Sequence, residues 1–151
     1  MLSQMLTEMF NGFEQNMLEY MAAHHAASYY EYHAPIGDST RLAHFPTRIA
    51  ASELARVFNK TEPEIRKFFE QLEAKRIGTI TIYKLDDPEP CVAGNINIVF
   101  TTIGEEIDDR SEKNSVWLFN FNETVLQCEI LKPTADAWKL ALASKTFERI
   151  D

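Results

Sequence analysis

At 151 residues and 45% hydrophobic composition, the chain can bury the core of one domain, and it shows no internal repeat or low-complexity segment. Its formal net charge of -8 excludes a chain that is basic throughout, and no run approaches the ~18 apolar residues of a membrane span. Cys91 and Cys128 lie too far apart for a metal or redox motif and read as free thiols of a cytoplasmic protein; a start with Glu8 and Glu14 but no early Lys or Arg is not a secretory signal.

Leu2, Met5, Leu6, Met9, Phe10, Phe13, Met17, Tyr20, His24 and Ala27 fall on one side of a wheel turned 100° per residue. This predicts one long helix over 2–32, with a weak point at Asn11 and Gly12. At ~1.5 Å per residue it would be roughly 45 Å long, more than a small domain covers. The stripe therefore calls for a partner. A second copy of the helix would give a homodimer through residues 2–32, while a kink at Gly12 would fold both halves onto the chain's own core. His24 and His25 are neighbours that point about 100° apart and cannot share an ion. With His33 and His44 they form no i, i+4 pair, so neither metal nor cofactor is expected, and His24 reads as a packed residue of the stripe.

Pro35, Gly37 and Asp38 break the chain into a loop. From Ile49 the pattern tightens: "IAASELARVF" sets Ile49, Leu54, Val57 and Phe58 on one face, with Ser52 or a neighbour at the helix start. After Asn59 and Lys60, Thr61 is an N-cap, Glu64 completes a capping box, and Pro63 sits in the first turn. Ile65, Phe68, Phe69 and Leu72 then face inward. Beyond Gly78 the period falls to 2: 79–85 and 95–101 predict a hairpin around "DDPEPCVAG", and 115–121 with 124–131 predict a second, turning at Asn122 and Glu123. Thr134 would cap a last helix over 135–149. "EEIDDR" (105–110) lacks the alternation and central glycine of a calcium loop and reads as solvated. The expected class is α+β, in three parts: an N-terminal dimerisation helix (1–33), a central segment (47–101), and a hairpin with a C-terminal helix (102–151) packed on the same domain. No spacing suggests a catalytic triad or phosphate cradle, so no enzyme is expected.

"ASELARVFNKTEPEIRKFFEQLEAKRIGTITIY" resembles the winged helix-turn-helix superfamily over residues 47–101. Leu54 and Ala55 match the helix crossing, Ile65, Phe69 and Leu72 the buried side of the recognition helix, and Ile77 the entry to the wing. The resemblance implies a DNA-binding regulator whose second helix, 61–76, lies in the major groove of double-stranded DNA. Its outward face would be Pro63, Arg66, Lys67, Glu70 and Ala74, with Arg66 or Lys67 on guanine or phosphate. Lys60 and Thr61 would meet phosphate at the helix N-terminus, and Arg48, Arg56 and Lys84 would add backbone contacts. A dimer would set the spacing of two such helices on a palindromic site.

Charge by region bears on this expectation. Residues 1–46 carry one base against five acids (-4), residues 48–84 eight bases against five acids (+3), and residues 85–151 six bases against thirteen acids (-7). The local excess fits a phosphate footprint. Against it stand Glu70, on the reading face, and Asp86, Asp87 and Glu89 at the wing tip, which would repel DNA. The alternative expectation is a protein-interaction module, an adaptor or inhibitor that binds a partner through that acidic wing and the C-terminal half.

Overall fold

Asn11 decides how the chain begins. In the computed structural model, which describes residues 2–32, 43–44, 47–85 and 103–134, the Asn11 carboxamide oxygen accepts from the Glu14 N–H (2.8 Å). The Asn11 N–H in turn donates to the Glu14 carboxylate (3.0 Å). This reciprocal capping box starts a new helix. The expected single helix over 2–32 is therefore two: α1 (Gln4–Met9), capped by Ser3, and α2 (Gly12–Tyr32), separated by an extended Phe10. Gln15 Nε2 donates to the Phe10 carbonyl (2.8 Å) that the break leaves outside the helix ladder.

The break also resets the helical phase. Leu2, Leu6 and Phe10 are buried as the stripe anticipates, but Met5 and Phe13 are exposed. In α2 the buried residues include Leu18, Met21, Ala22, His25, Ala26 and Tyr29, so the buried face is turned from Tyr20 and His24 toward His25. The stripe therefore holds only in part beyond the break: Met17 and Ala27 are buried as it anticipates, while Tyr20 and His24 are half-buried.

The chain divides into two compact units, residues 1–47 with 121–151 and residues 48–120. In the first, α1 and α2 pack together, and α5 (Glu123–Val125) runs directly into a wider π-helical stretch, Leu126–Leu131. The expected second hairpin is thus not formed: residues 123–131 are helical where 124–131 reads as a strand. Asn122 caps α5, its side-chain oxygen accepting from the Val125 N–H (3.2 Å). Leu126, Ile130 and Leu131 bury together with i, i+4 and i, i+5 spacing against α2. The Ser3 N–H further donates to the Glu129 carbonyl (2.9 Å). A cap and a helical burial pattern outweigh the short alternation of "TVLQCEIL".

The second unit is α+β: β1 (Ile49–Ala50), α3 (Ala51–Phe58), α4 (Glu62–Ala74), β2 (Gly78–Leu85), β3 (Ile103–Ile107) and the greater part of β4 (Ser115–Phe121). The four strands form one antiparallel sheet in the order β1-β4-β2-β3. Ile49 pairs with Phe119 and Ala50 with Leu118. β2 pairs with β3; the expected strand 95–101, Cys91 and the expected helix 135–149 lie outside the described residues. Between Tyr83 and Leu85 the register gains one residue on β3, a bulge.

Both faces of β4 are used. Phe119 meets Phe69 of α4, ring centroids 5.3 Å apart. On the alternate face Val116 and Leu118 cluster with Ala50, with Tyr83 and Leu85 against them. At the end of α4 the Arg76 N–H reaches the Glu73 carbonyl (3.0 Å) and the Ile77 N–H the Leu72 carbonyl (2.9 Å), a Schellman motif with Arg76 left-handed at φ 61°. Gly78 follows because a Cβ there would run into the Asn120 carbonyl and the Phe119 ring.

These neighbouring positions predict opposite outcomes. Arg76→Gly relieves a left-handed arginine and should stabilise the chain by roughly 0.5–1 kcal/mol. Gly78→Ala should destabilise it by ~1–3 kcal/mol through overpacking. Urea unfolding midpoints check both, and an unchanged midpoint for Gly78→Ala would contradict the close approach of β2 to β4.

Candidate nucleic-acid interface

The α3–α4 turn is built from short-range chemistry. Asn59, left-handed at φ 53°, closes α3, and the Lys60 N–H donates back to the Ala55 carbonyl (2.9 Å). Asn tolerates this conformation better than most residues. The Thr61 hydroxyl accepts from the Glu64 N–H (3.3 Å), as the cap predicts. The Glu64 carboxylate lies 3.9 Å from Lys60 Nζ, so Lys60 and Thr61 are brought together at the helix start, with an acid beside them. Ile65, Phe68, Phe69 and Leu72 bury as expected, and Pro63, Lys67, Glu70 and Ala74 are exposed along the opposite edge.

Arg66 departs from its expected place on that edge. Its side chain is only 20% exposed. One Nη donates to Glu62 Oε1 (3.0 Å) and to the Ser115 carbonyl (3.1 Å), while the guanidinium lies 5.1 Å from the centroid of the buried Trp117 ring. The cause is its position on the wheel: Glu62, Arg66, Glu70 and Glu73 line the flank of α4, and β4 supplies an aromatic surface and a carbonyl to that flank. A guanidinium with a salt bridge, a carbonyl and a ring face is held inside the fold.

The other expected bases are scattered. Arg56 pairs with Glu53, which is itself buried. Arg48 donates to the Tyr83 hydroxyl (2.6 Å) and lies 5.7 Å from that ring, on the sheet face opposite Trp117 and Phe119, so it does not stand beside α4. Lys84 is exposed on β2, and Lys67 is exposed with no ion pair among the described residues. Asp86, Asp87 and Glu89 lie outside the described residues.

Two residues unforeseen from the sequence join this flank. Arg110 sits in the β3–β4 turn, and its two Nη groups donate to Glu70 (3.2 Å) and Glu73 (2.7 Å). Its guanidinium is 5.5 Å from the Trp117 centroid, so Trp117 lies beside two arginines. The Glu73 hydrogen bond, joined by Glu70 and opposed by burial, raises the Arg110 pKa above its ordinary value. Next to it, the Ser111 hydroxyl (2.6 Å) and amide (2.9 Å) both donate to Asp109, holding that carboxyl below the usual range and fixing the turn. The only sequence signal for Arg110 was a lone base closing an acidic run.

Elsewhere, His44 pairs with Glu123 (2.8 Å), and Cys128 is an exposed free thiol. Among the described residues no cluster of three or more His, Cys, Asp or Glu side chains could hold a metal ion, and no helix is long and apolar enough to cross a membrane. No protein-family profile, curated protein or solved structure matches the chain.

The two adjacent bases of α4 should separate by stability. Arg66→Ala is expected to cost about 1–3 kcal/mol, having lost a charge-assisted bond and a ring contact. Lys67→Ala should stay within about 0.5 kcal/mol of the parent. Equal urea midpoints for the two variants would show that Arg66 is not part of the packing.

Proposed function

We propose that residues 48–120 form a winged helix-turn-helix unit that binds double-stranded DNA as a transcriptional regulator, with α4 laid in the major groove. The observation that carries this reading is the pair α3 and α4: a left-handed Asn59 turn and a Thr61 cap hold α4 with Pro63, Lys67, Glu70 and Ala74 exposed along its length. The strand order supports it, since β1 precedes the helix pair and β4 returns between β1 and β2, with β3 added outside.

Lys60, Thr61 and Lys67 make the primary phosphate contacts in this reading, and Arg56 and Lys84 add backbone contacts. Arg48, held on the far sheet face, contributes least. Arg66 stiffens the helix instead of reading guanine, so affinity rests on charge and sequence preference on the remaining edge of α4 and on DNA shape. A second copy supplies the second half-site, and Met5 and Phe13 are exposed on the part of the chain, 2–32, through which it would pair.

A different observation favours the protein-interaction reading. β3 is the outer strand of the described sheet and bears exposed Glu105 and Glu106, with Asp108 and Asp109 exposed just beyond it. That edge would suit a basic partner and no phosphate.

The test is binding to random-sequence duplex DNA across a salt series, comparing the parent with Lys60→Glu/Lys67→Glu. The expected result is affinity that falls steeply with salt, with a shallower slope and at least a tenfold loss in the double variant. Two chains bound per duplex would support the dimeric form. Absence of binding at low salt would remove the DNA reading and leave the acidic edge as the surface to pursue.

A further inference from the structure

Glu70 is an obstacle to any helix that approaches phosphate, and it is only one of four carboxylates on α4's exposed or half-exposed surface, with Glu62, Glu64 and Glu73. Each is answered by a cation. Glu62 meets Arg66 within the helix (3.0 Å), and Glu64 meets Lys60 (3.9 Å), which lies just before the Thr61 cap. Glu70 and Glu73 are answered from outside the helix, by the single guanidinium of Arg110.

We propose that Arg110 is a positioning residue for DNA binding: by spanning Glu70 and Glu73 it masks the carboxylates that would otherwise turn phosphate away from α4. This inference rests on the DNA-binding reading above. Three features of the turn fit it to the task. Asp109 folds back on Ser111, so it does not compete for the guanidinium. Trp117, buried on β4, backs the guanidinium at 5.5 Å and limits its swing. The fork of an arginine, unlike the point charge of a lysine, can donate to two carboxylates one turn apart.

Electrostatically, removing Arg110 exposes two negative charges beside Lys67 in place of a group whose net charge with its two partners is -1. At ~0.1 M salt the Debye length is ~10 Å, so charges on one helix face and a phosphate lying against it still interact. The geometry therefore assigns to the β3–β4 turn a supporting role usually sought in the wing tip: it carries the arginine that makes α4 approachable.

The experiment is duplex DNA binding across a salt series for the full chain, for Arg110→Ala, for Glu70→Gln/Glu73→Gln, and for the triple variant combining them. Arg110→Ala should weaken binding about three- to tenfold. The triple variant should return to within about threefold of the parent or exceed it, because nothing remains to be masked. If Arg110→Ala binds like the parent, the inference falls while the DNA reading stands. If Arg110→Ala is weak and the triple variant equally weak, Arg110 acts through loop structure or by touching phosphate itself, and the masking role is overturned. A parent chain that fails to bind at low salt removes the underlying reading and this inference with it.

Discussion

The seating of α4 on β4 is the constraint on which the 48–120 unit depends. Phe69 against Phe119 sets the helix at a fixed height over the sheet. Gly78, with no Cβ, lets β2 close on the same strand. Trp117, two residues from Phe119 on the same face, then presents its ring to the flank of the helix, and this decides the fate of Arg66. A base that the helical wheel assigns to solvent becomes a structural strut because an aromatic face and a free carbonyl stand within its reach.

The same seating governs electrostatics. The excess of bases in residues 48–84 looks like a continuous footprint only when charges are counted along the chain. In space Arg56 and Arg66 answer Glu53 and Glu62, Lys60 stands by Glu64, and Arg48 is held by Tyr83 on the other sheet face. The exposed pair Lys60–Glu64 contributes little to stability, ~0–1 kcal/mol, whereas Glu53 and Arg66 are largely withdrawn from solvent. The effect of these pairs is on which charge is presented where. Lys67 is left as the base on the outer edge of α4, and Arg110, from a distant turn, neutralises the acids beside it.

Local signals were the legible part of the fold. Thr61 as a cap, the inward set Ile65, Phe68, Phe69 and Leu72, and the strands 79–85 and 115–121 all follow from periodicity and hydrogen-bonding chemistry confined to a few residues. The Asn11–Glu14 box was equally present in the sequence, but the long apolar stripe across it obscured the break. Residues 124–131 misled for another reason. Leu126, Cys128 and Ile130 satisfy a period of 2 while Leu126, Ile130 and Leu131 satisfy a helical one, and packing against α2 selects the helix.

By itself the sequence determined the local elements of 59–85, because caps, turn residues and side-chain periodicity act over three or four positions and need no partner; the strand Ile49–Ala50 and the exposure of Val57 it did not determine. It also determined the acidic balance of the remainder. The tertiary structure alone decided which charges face outward. Arg66 and Trp117 are 51 positions apart, and Glu70 and Arg110 are 40 apart. Nothing in either stretch encodes the other's presence, and only the closure of α4 on β4 and the β3–β4 turn brings an aromatic ring and a guanidinium within about 6 Å, where such contacts act.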